Sequence, residues 1–257
     1  MALMVIDGEA VPARSGEEMP VLNPATEEVA DTVPKAGPDD VDAAVAAARR
    51  AFDAWARTDA DERAHKIREG LASVRAHAQE IADLLVREQG KPLHEATGEL
   101  THFLHGVEFY ADLASKQRGA YAPLPSALGK AYGLVIRRPV GVCAAIVPWN
   151  FPLTLMGTKI GPALAAGNTV VVKPASTTPL ATLKVIELLN GAGLPPGVLN
   201  AVTGPGRTVG EALAGHPDVR RVAFTGQTAT GRRIMAVAGP SFKRITLELG
   251  GSDPVIV

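Results

Sequence analysis

This sequence predicts an α/β fold, a doubly wound parallel sheet with an N-terminal helical layer. From residue 141 onward, short β-branched runs alternate with helical stretches. Those runs are apolar at almost every position, the pattern of strands covered on both faces. Ahead of them, between 38 and 110, apolar residues recur at spacings of three and four, the period of helices packed on another surface.

Each element follows in order. Residues 1–34 read as short strands separated by turns, with Asp7-Gly8 a hairpin dipeptide and Asn23-Pro24 a second turn. Helical spacing begins at Pro38: Asp39 and Asp40 supply acid to a first turn, then Val41, Val45, Ala48, Phe52 and Trp55 form a stripe. Ile67, Leu71 and Val74 give a second stripe. Ile81, Leu84 and Leu85 give a third that stops at Gly90, and Leu100, Phe103, Leu104, Val107 and Tyr110 a fourth. After a Gly/Pro-rich stretch from 119 to 133 come five strand runs: GVCAAIV, TVVVK (169–173), VLNAV (198–202), VRRVAFT (219–225) and KRITLEL (243–249). Helical segments near 153–165, 179–192, 207–214 and 228–238 separate them. Right-handed crossovers make this an open, Rossmann-like sheet with ligands beyond the carboxyl ends of its strands.

Composition narrows the function. The 257 residues are 46% hydrophobic and carry 26 Lys+Arg against 27 Asp+Glu, a net charge of −1. Without a basic excess there is no electrostatic case for nucleic acid or an anionic membrane. No run approaches the ~18 apolar residues of a membrane span. One cysteine, Cys143, excludes an intramolecular disulfide and a thiolate metal cluster, and suits a reducing compartment. No basic leader precedes Asp7, so the expectation is a cytoplasmic protein. His102 and His105, three apart, imitate a metal pair but have no third ligand nearby and read as a helix surface. No metal is expected.

The informative residues sit where the strands end. Pro148-Trp149-Asn150-Phe151-Pro152 is either a rigid turn around a core tryptophan or a held amide able to donate to a developing oxyanion. Lys173 either faces the ligand crevice or is a solvated strand-end lysine. Gly204-Pro205-Gly206 is a weak glycine-rich signal. Phe224-Thr225-Gly226-Gln227 leads into a helix whose N-terminus suits a pyrophosphate. Glu248, a carboxylate in the apolar run ending at Gly250, is a candidate acid–base with a raised pKa, or else a satisfied core Glu.

Together these features resemble the NAD(P)-dependent aldehyde dehydrogenases. The matching stretches are NPATEEV, EQGKPLHEATGE, RRPVGVCAAIVPWNFPL, LAAGNTVVVKPAS, LPPGVLNAVTG, VAFTGQTATGR and LELGGSDP, in the family's order over almost the whole chain. The resemblance implies a cofactor domain split around an oligomerisation hairpin: residues 1–118, a hairpin segment at 119–140, and a cofactor-binding core at 141–257. It makes Asn150 the oxyanion-stabilising amide and Glu248 the general base. It assigns Lys173 to the adenosine ribose, Val147, Pro148 and Trp149 to the cofactor-cleft wall, and Gly226 to the pyrophosphate, with Ser176, Gly206, Phe224, Thr225, Gln227 and Gly250 around them. In such enzymes a thiolate attacks the aldehyde, hydride passes to nicotinamide, and water activated by the Glu releases the acid.

Three departures shape the expectations. The family's nucleophilic cysteine lies further beyond the LELGG glutamate than the nine residues that follow Glu248, and Cys143 reads as a buried structural cysteine. The expectation is therefore an N-terminal portion with its catalytic domain largely absent, inactive alone, in a protein that is a homo-oligomer when complete. The alternatives are a non-catalytic dinucleotide-binding module and a fragment that pairs with a full-length homologue. Many NAD-preferring members have Glu where this chain has Ser176, which removes repulsion of a 2′-phosphate and tilts the cofactor toward NADP. Gln227 replaces a small hydroxyl residue.

Overall fold

The computed structural model describes residues 1–124, 131–252 and 254–256. The chain opens with β1 (Met4–Ile6) and β2 (Glu9–Val11), an antiparallel pair turned by Asp7 and Gly8, both at positive φ. A separate antiparallel pair follows, β3 (Glu18–Leu22) with β4 (Val29–Pro34). Four helices come next: α1 (Pro38–Arg57), α2 (Ala60–Ala76), α3 (Ala78–Gln89) and α4 (Leu93–Leu113). Proline opens α1, and Asp40 closes its N-terminus by accepting from the Gly37 N–H at 2.9 Å.

An exposed hairpin of β5 (Ala120–Leu124) and β6 (Ala131–Val135) leads into the core. Part of the predicted hairpin segment, 125–130, lies outside the described residues. The core continues through β7 (Val142–Ile146), α5 (Pro152–Ala165), β8 (Thr169–Lys173), α6 (Leu180–Gly191), β9 (Leu199–Ala201), α7 (Glu211–Gly215), β10 (Val219–Gly226), α8 (Thr228–Ala238) and β11 (Arg244–Leu249).

The main sheet has the order β11-β10-β7-β8-β9-β1-β2. Strands β7 to β11 are mutually parallel, as predicted. Their apolar side chains alternate between two cores. Cys143, Ala145, Val170 and Val172 join the layer of α2, α4, α5 and α6, whereas Val142, Ala144, Val171 and Phe224 join that of α1, α7 and α8. Every residue of β7 and β8 is buried. Trp55 ties α1 to α5, 1% exposed and donating its indole N–H to the Leu164 carbonyl at 3.2 Å.

Two elements differ from expectation. The β1–β2 hairpin joins the main sheet, with β1 antiparallel to β9, which covers an edge that β9 would otherwise expose. The helix expected at 207–214 splits into a π-turn over Gly206–Gly210 and the short α7, because the glycines at both ends of the turn weaken a regular first turn.

Candidate functional site

Strand register sets the site. Ile146 of β7 pairs with Lys173 of β8 and Phe224 of β10, while Thr225 of β10 pairs with Glu248 of β11. The predicted site residues on four strands therefore reach one edge of the sheet, at its carboxyl ends. The sheet then divides them between two faces.

On the α5 face lies a cleft of about 1070 Å³, at the upper end of the size of small-molecule sites. Pro148, Trp149 and Asn150 line one wall. Thr225, Gly226, Gln227, Glu248 and Gly250 line the facing strand ends, with Phe224 behind them. Trp149 is 60% exposed, so the core-tryptophan reading of this turn is not what the structure holds. Asn150 is exposed, and among the described residues its side chain makes no hydrogen bond. Val147 is buried beneath the turn, its N–H bonded to the Lys173 carbonyl at 3.0 Å, and does not reach the cleft.

Glu248 corrects the sequence reading. It is exposed on the cleft wall rather than buried, because β11 is the edge strand and α8 covers only its other face. Gly226 has a steric reason to be glycine: a Cβ there would stand 2.6 Å from the Phe224 ring.

On the opposite side of the strand ends, Lys173 is buried and has no ion-pair partner among the described residues; its Nζ donates to the Pro174 carbonyl at 2.8 Å. Burial pushes its pKa down to about 8. The Ser176 hydroxyl donates to the Gly204 carbonyl at 2.9 Å, so it ties the loop after β8 to the loop after β9. That bond occupies the hydroxyl hydrogen, so Ser176 as it stands removes repulsion of a 2′-phosphate without offering it a free donor. Gly206, exposed, opens the π-turn beside it. Gln227 caps α8 only through its backbone, and among the described residues the first-turn N–H groups have no side-chain partner.

Four charged residues escaped sequence reasoning. Lys159 on α5 is half-buried at the cleft; its Nζ donates to Thr225 Oγ1 at 2.6 Å and to the Leu155 carbonyl at 3.2 Å. Burial pushes its pKa down to about 8, against the pull of Glu248's charge. Glu88 and Glu99 are buried at the N-termini of α6 and α5, and Lys91 is buried beside Glu99. A lone cation in an apolar helix (PLTLMGTK) was the one available signal for Lys159.

Cys143 lies mid-strand, buried, with burial pushing its thiol up to about 11. That is the inert cysteine the sequence predicts. His102 and His105 are exposed, and no cluster of metal-ligating side chains occurs among the described residues. A smaller cavity of about 330 Å³ lies away from the strand ends, between the N-terminus and α6; the Met1 ammonium and Lys184 there are already paired with Asp31, Glu80 and Glu187. No helix of the described residues is long and apolar enough to cross a membrane.

Known proteins match nearly the whole length of this chain. The mitochondrial succinate-semialdehyde dehydrogenase of Arabidopsis thaliana is 43% identical over 253 residues, covering 98% of this chain and 48% of its own length. The NADP+ succinate-semialdehyde dehydrogenase of Escherichia coli K12 is 43% identical, over 98% of this chain and 52% of its own. The crystal structure of an aldehyde dehydrogenase from Brucella melitensis biovar abortus 2308 superposes with a TM-score of 0.94 at 41% identity, over 98% of this chain and 52% of that one. PnpE in complex with nicotinamide adenine dinucleotide superposes at 0.92, with 42% identity over 97% of this chain and 51% of that one. This chain thus spans about half the length of the relatives it matches. A sequence model described as the Aldehyde dehydrogenase family matches residues 11–257, and the chain belongs to that family.

Proposed function

We propose that this chain is the dinucleotide-binding part of an enzyme that oxidises an aldehyde to a carboxylic acid with NAD+ or NADP+. The observation that carries the proposal is the gathering of Asn150, Lys173, Gly226 and Glu248 at the carboxyl ends of adjacent parallel strands. The residues fit a dinucleotide. Lys173 is a buried cation that lacks an acidic partner among the described residues, and α8 offers a helix N-terminus at Gly226-Gln227 without a side-chain cap. Lys173, Ser176 and Gly206 would hold the adenosine end, with Gly226 and Gln227 at the pyrophosphate. When bound, the nicotinamide supplies the hydride acceptor.

The remaining chemistry falls to side chains on the cleft. The Asn150 amide, whose side chain makes no hydrogen bond among the described residues, donates to an oxygen that gains negative charge. Glu248 takes a proton from water at its carboxylate, open to the same cleft. Arabidopsis and Escherichia coli relatives named for succinate semialdehyde favour a small semialdehyde as substrate class. The hairpin of β5 and β6 leaves Tyr121, Leu124, Tyr132 and Leu134 exposed, which favours a homo-oligomer.

A buried thiol raised to about 11 supplies no nucleophile at neutral pH. The 257-residue polypeptide should therefore produce no NAD(P)H from semialdehydes above the rate of an Asn150→Ala, Glu248→Ala double variant. Turnover above that background would bring Cys143 or another nucleophile into the mechanism.

Calorimetric titration with NAD+ and NADP+ tests binding itself. Saturable binding is expected, with NADP+ held at least as tightly as NAD+. In Ser176→Glu, a carboxylate ~4 Å from a 2′-phosphate repels it by roughly 4 kcal/mol at an effective dielectric near 20, before screening. NADP+ should then weaken by about tenfold or more relative to NAD+. Absence of binding for both would overturn the proposal, and an unchanged NADP+/NAD+ ratio would remove Ser176 from cofactor selection.

A further inference from the structure

Asn150 sits on an exposed turn, yet its main chain is tied down from beneath. Gln89 Nε2 and Lys91 Nζ both donate to the Asn150 carbonyl, each at 3.2 Å. Lys91 is ion-paired with Glu99, and their side chains are 5% and 0% exposed. The other oxygen of the Glu99 carboxylate accepts the N–H groups of Leu153 at 2.8 Å and Thr154 at 3.2 Å, the first turn of α5. No side chain of the local N-cap, Phe151, performs that task. Lys91 also lies 4.4 Å from the centroid of the Phe151 ring. One charged pair thus reaches the residues on both sides of Phe151.

A buried ion pair is a weak source of stability, because dehydrating both charges offsets most of their attraction. What this pair does provide is a fixed location for one peptide group. An amide that meets a developing oxyanion must place its N–H groups within a few tenths of an ångström, and a 1 Å displacement costs on the order of a hundredfold in rate. With two rotatable side-chain bonds, Asn150 inherits most of its placement from its backbone. We propose that Gln89, Lys91 and Glu99 are positioning residues for the Asn150 amide. The inference rests on the oxyanion role proposed above for Asn150.

The test uses the 257-residue chain labelled with 15N-asparagine, and reads the Asn150 side-chain amide signals by NMR. Wild type should give one dispersed pair of cross-peaks. Lys91→Met should broaden or multiply them, and Lys91→Arg, which keeps a donor and a charge, should restore a single pair. Amide exchange at Leu153 and Thr154 should accelerate at least tenfold in Glu99→Ala, while Leu180 and Ala181, bonded to Glu88, keep wild-type rates. Gln89→Leu leaves the ion pair intact and still removes one donor from the Asn150 carbonyl. It should disturb the Asn150 signals even if the charge variants fail to fold. Lower stability in Lys91→Met and Gln89→Leu with unmoved Asn150 signals would overturn the proposal and leave the pair a structural element. Dinucleotide binding does not enter these readouts, so a chain that binds none would sink the proposed function without touching this result.

Discussion

Lys173 is a cation that the fold has dehydrated before any ligand arrives, with its pKa pushed down to about 8 by burial. It is charged below that value and neutral above it. If it faces a 2′-phosphate, NADP+ affinity should hold steady from pH 6.5 to 7.5 and fall as pH rises past 8. The loss should begin near 8, where the unliganded lysine starts to deprotonate, and level off at the higher pKa that the bound phosphate imposes. Losing one screened charge pair of about 1–2 kcal/mol weakens binding roughly tenfold. Titrations from pH 7 to 9.5 would show it, with NAD+ as the comparison because it lacks the 2′-phosphate. An equal decline for both cofactors would place Lys173 away from that phosphate. The lysine was legible in the sequence because it ends an apolar strand run. Its solitude was not, since that depends on which carboxylates lie nearby in space.

Helices α5 and α6 begin on carboxylates supplied from the α3–α4 region, Glu99 for α5 and Glu88 for α6. Glu88 Oε2 and Oε1 accept from Leu180 at 2.6 Å and from Ala181 at 2.9 Å. Burial outweighs those two bonds and, with the nearby charge of Glu99, pushes Glu88 up to about 8 from an ordinary 4.5. The folded state therefore holds a proton that the unfolded chain releases between pH 4.5 and 8. Stability from this group is complete below 4.5 and is lost as pH rises through 8, at up to about 1.4 kcal/mol per pH unit. Urea unfolding at pH 5 and pH 8.5 should show wild type losing up to about 4 kcal/mol more than Glu88→Gln. Equal losses would mean that Glu88 is ionised throughout. Trp55→Ala, which empties the joint between α1 and α5, should cost roughly 3–5 kcal/mol in the same assay.

Elements were more legible than their joints. Apolar runs such as TVVVK announced β8 at its observed bounds, because a strand covered on both faces has no polar alternation to obscure it. Glu88, Lys91 and Glu99 lie in or beside helical stripes whose spacing gives them no role. The helix N-termini that Glu99 and Glu88 hold lie 54 to 93 positions away, a distance that periodicity does not span. The pairing of β1 with β9 joins Val5 to Ala201 and was invisible for the same reason. Glu248 shows the converse: an apolar run implied burial, but an edge strand with one covered face left it open.

At the scale of the whole molecule, the exposed hairpin and the cleft on the α5 face are surfaces of a kind that an isolated soluble unit seldom presents. Sedimentation of the 257-residue chain should show association that deepens with concentration. Leu134→Asp with Val135→Asp should shift it toward monomer without altering cofactor affinity. A monodisperse wild-type monomer would contradict that reading. Every role given to the cleft depends on the carboxyl ends of β7, β8, β10 and β11 forming a dinucleotide site. Electron density from crystals of this chain grown with NADP+ tests it most directly. The prediction is an adenosine ribose beside Lys173 and Ser176, with the pyrophosphate over Gly226 at the start of α8. Nucleotide density at any other place on the sheet, with Lys173 and Gly226 bare, would contradict it.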